Sequence, residues 1–273
     1  MKTKKISLII RLVVILLGFA ILLYPLVSDR VNSANSSHEV NTYARLAAKQ
    51  SKQLKATLFA KARKYNRRLA QTPAAFYHPS LLPGYRKELV LPATDVMAYV
   101  DIPKIKAHLP IYHGTSKSVL GDGIGHLQGT SLPIGGKSTH AVLVGHRGLP
   151  SATLFTDLDE IKRGDRFTVT VLDRKISYKV DAIHVVKPNN VKYLQIVKGK
   201  DYCTLLTCTP YGINTKRLLI RGVRVKNAAD QQANAFHLPL KKVVYYGVVA
   251  LMFLLVLLWL AHQYREQKQA RPK

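Results

Sequence analysis

Apolar residues along this chain fall into three textures: two uninterrupted runs, one stretch at helical spacing, and a long middle in which apolar and polar positions alternate. Residues 12–27 are almost wholly apolar, and 6–10 extend that run past a single Arg11. Residues 243–260 hold 18 positions without a charge and end near Trp259. A helix needs roughly 20 apolar residues to cross a bilayer, so both runs predict membrane spans. For the first, a cleaved signal peptide is the competing reading, with Ala34 and Ser36 as small residues near a cut. For the second, a core helix so uniformly apolar would need protein on every side. Lys2, Lys4 and Lys5 precede the first run, and Arg265, Lys268, Arg271 and Lys273 follow the second, against Lys241 and Lys242 before it. Both termini therefore read as cytoplasmic and the middle as outside the cell.

Residues 36–70 contain no Gly or Pro, and Tyr43, Ala47, Leu54, Leu58, Ala62, Tyr65 and Leu69 recur at helical spacing. Ser36 and Glu39 have the spacing of a capping box. This predicts one amphipathic helix rising from the first span, its lysines and arginines forming a solvated face. Residues 73–92, with prolines and tyrosines and little periodicity, read as a linker or flap. From Val96 the texture is β. Met97 to Pro103 reads as a strand, and Phe167, Val169 and Val171 alternate, as do Ile176, Tyr178 and Val180, with Asp173-Arg174-Lys175 between them: a hairpin. Residues 182–186, 202–208 and 217–225 add further strands. Many short strands separated by turn signals predict a barrel or sandwich. The expected organisation is a cytoplasmic N-terminus (1–5), a span (6–28), an outer helical stalk with a possible lid (29–93), a β domain (94–228), a linker (229–242), a second span (243–261) and a cytoplasmic tail (262–273).

The net charge of +27 sits largely in the outer part, residues 29–240, which carry about +18. Strong basicity is often a nucleic-acid footprint, but no zinc-knuckle, RNA-binding or helix-turn-helix pattern accompanies it, and the expected topology hides it from nucleic acid. An anionic cell envelope is the better counter-charge, beside the plain alternative of a solvated surface. Cys203 and Cys208 lie five apart in one strand, where side chains alternate faces. They point to opposite sides, one a small core residue and one able to react, rather than forming a disulfide.

The chemistry concentrates at strand ends. Cys208 closes Tyr202-Cys203-Thr204-Leu205-Leu206-Thr207-Cys208 and meets Thr209-Pro210-Tyr211-Gly212, which cannot continue a strand. Ala141-Val142-Leu143-Val144 likewise delivers His146 into the turn Gly145-His146-Arg147-Gly148, and the basic strand Arg217-Leu218-Leu219-Ile220-Arg221 follows the cysteine turn. A thiol, a histidine and an arginine at strand ends are the parts of a thiol acyl-transfer site. His126, His140 and His146 lack the carboxylate or Cys-x-x-Cys elements of a metal centre, and no cofactor is expected. Asp101 and Asp122 read as turn and cap residues.

Several segments together resemble the sortase family: Ile102-Pro103-Lys104-Ile105, Leu109-Pro110-Ile111-Tyr112-His113-Gly114, Gly125-His126-Leu127-Gln128-Gly129-Thr130-Ser131-Leu132-Pro133, Gly145-His146-Arg147-Gly148-Leu149-Pro150-Ser151 and Thr204-Leu205-Leu206-Thr207-Cys208-Thr209-Pro210-Tyr211-Gly212. They are most similar to the class C, pilin-polymerising branch, to which a second span is also common. The resemblance implies a mainly β fold, a closed barrel of about eight strands with short helices. It also implies a cysteine transpeptidase that cuts a Leu-Pro-x-Thr-Gly (LPXTG) sorting signal between Thr and Gly. The acyl group would pass to an amine of a pilin lysine or a cell-wall precursor. Cys208 would be the nucleophile and His146 the general acid and base. Arg217, at the start of the strand after the turn, would be the oxyanion donor, with Arg221 the next candidate about 13 Å along the strand. Thr207, His126, Thr130 and Arg221 would shape the substrate groove. Class C enzymes often carry an Asp-Pro-aromatic lid; this chain has no Asp-Pro, and the nearest candidates are Phe76-Tyr77-His78-Pro79 and Pro83-Gly84-Tyr85, so either the lid uses other anchors, Tyr77 or His78, or the site is open. A peptidoglycan-anchoring sortase, a thiol hydrolase and a non-catalytic anchored binding module with an inert Cys208 are the alternatives.

Overall fold

A computed structural model describes residues 2–226 and 240–269. The chain divides into two units, Met1–Leu22 with Gln232–Lys273, and Leu23–Gln231. In the first unit, the start of helix α1 (Lys2–Lys49) accompanies helix α4 (Leu240–Gln269), and Phe19 meets Phe253 edge-on with ring centroids 5.4 Å apart. Both helices are long and apolar enough to cross a membrane, and large side chains such as Leu16, Leu17, Val248 and Leu251 are exposed on them. Most of the expected linker, 229–239, and the last tail residues, 270–273, lie outside the described residues.

The second unit is a closed barrel in the order β1-β2-β3-β4-β7-β8-β6-β5. Its strands are β1 (Val96–Ile102), β2 (Ala107–His113), β3 (Ile124–His126), β4 (Thr139–Val144), β5 (Arg166–Val171), β6 (Arg174–Val186), β7 (Asp201–Thr209) and β8 (Lys216–Arg224). A short helix, α3 (Lys117–Asp122), links β2 to β3. Alternation decides what faces inward: Val100, Ile111, Phe167, Val169, Ile176, Tyr178, Cys203, Leu205 and Ile220 fill the interior. Residues 182–186, which read as a separate strand, continue β6 past a register shift between Val180 and Ala182.

The stalk is not one helix from Ser36 to Ala70. Helix α1 runs unbroken through Ser36 to Lys49, so the proposed capping box is never used. The break comes instead at Ser51, whose Oγ accepts the Leu54 N–H (3.1 Å) and starts α2 (Lys52–Gln71). A helix already propagating from an apolar span needs no new N-terminus, and Leu54, placed in the apolar stripe, is exposed. Two buried polar residues fasten these helices to the barrel. The Tyr43 hydroxyl donates to Met97 O (2.9 Å) and accepts from Leu172 N (2.7 Å). The Asn66 amide pairs with both backbone groups of Leu132.

Candidate active site

β7 carries Cys208 to the barrel rim on its outward face, while Cys203 points into the core, where burial pushes its thiol pKa up. Both cysteines are free, and Cys208 is half-buried. On one side β8 runs antiparallel with Cys208 and Arg217 as direct Cα partners. On the other side β4 runs parallel, with Val144 opposite Leu206, and the ladder ends with Gly145 N donating to Leu206 O at 3.1 Å. Continuing that register by two residues brings His146 level with Cys208. Cys208 and Arg217 are thus cross-strand neighbours at this rim, and His146 lies two residues beyond the last paired residue of the adjoining strand β4.

Two ties hold this rim together. The fully buried Thr207 donates its hydroxyl to Gly145 O at 2.7 Å. Arg147 ion-pairs with Asp159, donates to Thr209 Oγ1 at 3.2 Å, and lies under Tyr211 of the next turn. Its side chain is only 4% exposed, and its Nε has no partner among the described residues. Gly145 is required by space, because a Cβ there would come within 2.6–2.7 Å of Ile124 and Phe155. The cysteine turn contains a cis Thr209–Pro210 bond.

Arg217 Nη1 donates to Asn214 O and Lys216 O, both at 3.1 Å, and its remaining N–H groups have no hydrogen-bond partner among the described residues. Arg221 also lies outward but opposite Thr204; it is forked onto Asp181 (2.7 and 3.1 Å) and packs over Tyr202. Arg224 sits at the far end of β8, opposite Tyr178.

A second apolar cluster packs on the outer face of the barrel wall: Val142, Leu194 and Leu219 are buried in it, and Leu127, Val144, Val186, Tyr193, Leu206 and Phe76 pack against them half-buried. Phe76 comes from the 3-10 turn Pro73–Phe76, whose backbone presses on Gly129: a Cβ there would meet Ala75 O and Phe76 O at 2.9 Å. The residue of this segment in the apolar cluster is therefore Phe76. Tyr77 is 62% exposed and His78 is exposed as well, so neither expected anchor reaches it.

Three residues assigned to the groove by sequence are internal. Besides Thr207, His126 is fully buried, bonded to Tyr85 Oη (2.9 Å) and Ser131 O (2.8 Å), and burial lowers its pKa to about 4. Thr130 donates to Leu127 O (2.7 Å) and accepts the Val142 N–H (3.2 Å). Their polar atoms are bonded to the scaffold. His140 is equally internal, between Thr204 Oγ1 (2.7 Å) and Gln195 O (2.9 Å), its pKa also lowered to about 4 by burial. Sequence reasoning assigned Arg147 no role of its own and placed Phe76 only within a candidate lid segment, with Tyr77 and His78 as the anchors. The only local signal for Arg147 was its place beside the histidine.

Known proteins resemble this chain in sequence and fold. The sortase domain model matches residues 100–225. Sortase C1 of GBS Pilus Island 1 is 40% identical, with a TM-score of 0.65, over 71% of this chain and 100% of that one. Sortase C1 from Streptococcus agalactiae is 45% identical (TM-score 0.63; 69% and 98% covered). Sortase C-1 from Actinomyces oris is 43% identical (TM-score 0.57; 63% and 98%). Sortase D of Bacillus subtilis is 30% identical over 129 residues, 46% of this chain but only 62% of that relative's length.

Proposed function

Because the chain belongs to the sortase family, we propose that it is a membrane-anchored cysteine transpeptidase joining pilin subunits. The observation that supports this reading is the pairing of Cys208 with Arg217 across β7 and β8, beside the end of β4 that leads into His146 and next to an outer apolar cluster. The half-buried apolar side chains of that cluster take the Leu-Pro end of an LPXTG-type signal, leaving its Thr carbonyl at the thiol. Cys208 Sγ attacks that carbonyl, and the electron pair displaced onto oxygen is met by Arg217; such a donor is commonly worth about 10²–10³ in rate. Collapse expels the glycine amine, which takes a proton from His146. The resulting thioester is attacked by a lysine amine, which gives its proton to His146, and the thiolate leaves as the isopeptide bond forms.

The amine is assigned to a pilin lysine on the similarity to sortases C1, one of them described as pilus-related. Transfer to a peptidoglycan amine is the second reading, favoured by relatives named Sortase A at 26–30% identity. The two apolar helices anchor the barrel outside the cell, with both termini inside, and the flap bearing Phe76 acts as the lid. The experiment is intact-mass analysis of the full chain in detergent micelles, and of its Cys208→Ala variant, with an LPXTG peptide. The expected result is an acyl adduct on the parent alone, discharged by a lysine-bearing pilin peptide. Discharge by a crossbridge peptide instead would favour the second reading. No adduct, even after Phe76→Ala, would reject the activity.

A further inference from the structure

We propose that Asp29 and Asn32 of α1 are positioning residues for His146, so that the anchor helix itself completes the active site. The inference rests on the acid–base role of His146 and adds residues outside the barrel to that machinery.

The segment 146–156 leaves β4 as a closed loop. Its base is pinned by Phe155 N donating to His146 O (3.1 Å) and by Gly148 N donating to Thr156 Oγ1 (3.1 Å), with Phe155 fully buried. Its tip, by contrast, is held by α1. Asp29 Oδ1 accepts the Thr153 N–H at 2.8 Å, and Asn32 Nδ2 donates to Ser151 O at 2.7 Å, while also contacting Ser28 O at 3.2 Å. Asp29 and Asn32 lie on one helix face, three positions apart. They therefore grip two loop residues at once, one accepting a backbone N–H and the other donating to a backbone carbonyl.

Two further observations make the grip more than incidental. Leu154, next to the held Thr153, has φ +38°, a left-handed conformation that a leucine adopts only under constraint from its surroundings. The strained residue thus sits between an outside tether and the Phe155–His146 bond, which passes any displacement of the tip to the histidine backbone. Asp29 is also the first acidic residue of a chain with only 15 acids, in the first turn after the apolar run 12–27. An acid-poor chain has placed a carboxylate where one loop amide needs an acceptor.

The test uses the full chain in micelles with Asp29→Ala, Asp29→Asn and Asn32→Ala. Hydrogen exchange reads the Thr153 amide, and acyl-adduct kinetics with an LPXTG peptide read kcat and KM separately. Asp29→Ala should speed Thr153 exchange by about 5-fold and lower kcat by a similar factor, the order of one hydrogen bond, with KM unchanged. Asn32→Ala should lower kcat alike. Asp29→Asn, which keeps the acceptor and loses the charge, should restore both. Unchanged Thr153 exchange would refute the tether. Faster exchange with unaltered kcat would refute positioning, as would failure of Asp29→Asn to rescue. If the parent forms no adduct, the acyl-transfer reading falls and the positioning role with it, while the exchange arm still shows whether the helix holds the loop.

Discussion

Replacing Thr207 by valine separates two roles for the residue before the cysteine. Valine keeps the branched shape and deletes only the hydroxyl. Thr207 is fully buried, and its hydroxyl is the bond that satisfies Gly145 O, one residue before His146. The variant leaves that carbonyl unpaired in the barrel wall, which costs about 1–3 kcal/mol. For a domain of this size each kcal/mol lowers Tm by about 2–4 °C, so the expected fall is about 2–12 °C. Gly145 is also held through its N–H to Leu206 O, so the strand end should loosen rather than detach, and kcat should fall by about tenfold or less. Calorimetry and acyl-adduct kinetics on the same preparations check both numbers. A variant that melts with the parent but has lost activity would refute this reasoning. It would place the hydroxyl on the substrate, as the sequence alone suggested.

Burial holds His126 and His140 near pKa 4 against about 6.5 when unfolded, so the unfolded chain takes up protons that the barrel refuses. Stability is then greatest above pH 6.5 and falls towards pH 4, by about 2 kcal/mol per histidine between pH 7 and 5. Glu88 and Asp201, raised by burial, act oppositely in the carboxylate range; equal urea midpoints at pH 7 and 5 would count against buried neutral histidines. Arg147→Met removes the Asp159 pair and the Thr209 bond, and should cost about 2–3 kcal/mol, less if solvent screens the 36% exposed Asp159; a chemical-denaturation midpoint equal to the parent's would show that the guanidinium holds nothing. Phe76→Ala removes the flap's contact with the outer apolar cluster and should raise the alkylation rate of Cys208 by about tenfold, the effect of about 1.4 kcal/mol on flap closure. An unchanged rate would mean that the flap does not guard the thiol.

Period-two alternation is a local property, and much of the site was legible from it. The parity of one strand separates an inward Cys203 from an outward Cys208, and the turns after Val144 and Thr209 put His146 and Cys208 at strand ends. The hairpin of β5 and β6 and the two apolar helices are legible for the same reason: each needs only neighbouring residues to define it. Partners distant in the chain are a different matter. That Cys208 faces Arg217 depends on the β7–β8 register. Whether Thr207, His126 and Thr130 meet substrate or scaffold depends on which carbonyl lies across the wall, and for Thr207 that is Gly145, 62 positions away. The use of Phe76 rather than Tyr77 depends on how the flap settles against Gly129. The helix break at Ser51, not Ser36, reflects a helix continuing from an apolar span, and the grip of Asp29 on Thr153 joins residues 124 positions apart. Local pattern decides which face a side chain takes, because steric alternation acts between neighbours; what it meets there is decided only when the barrel closes and each buried polar group must find its partner.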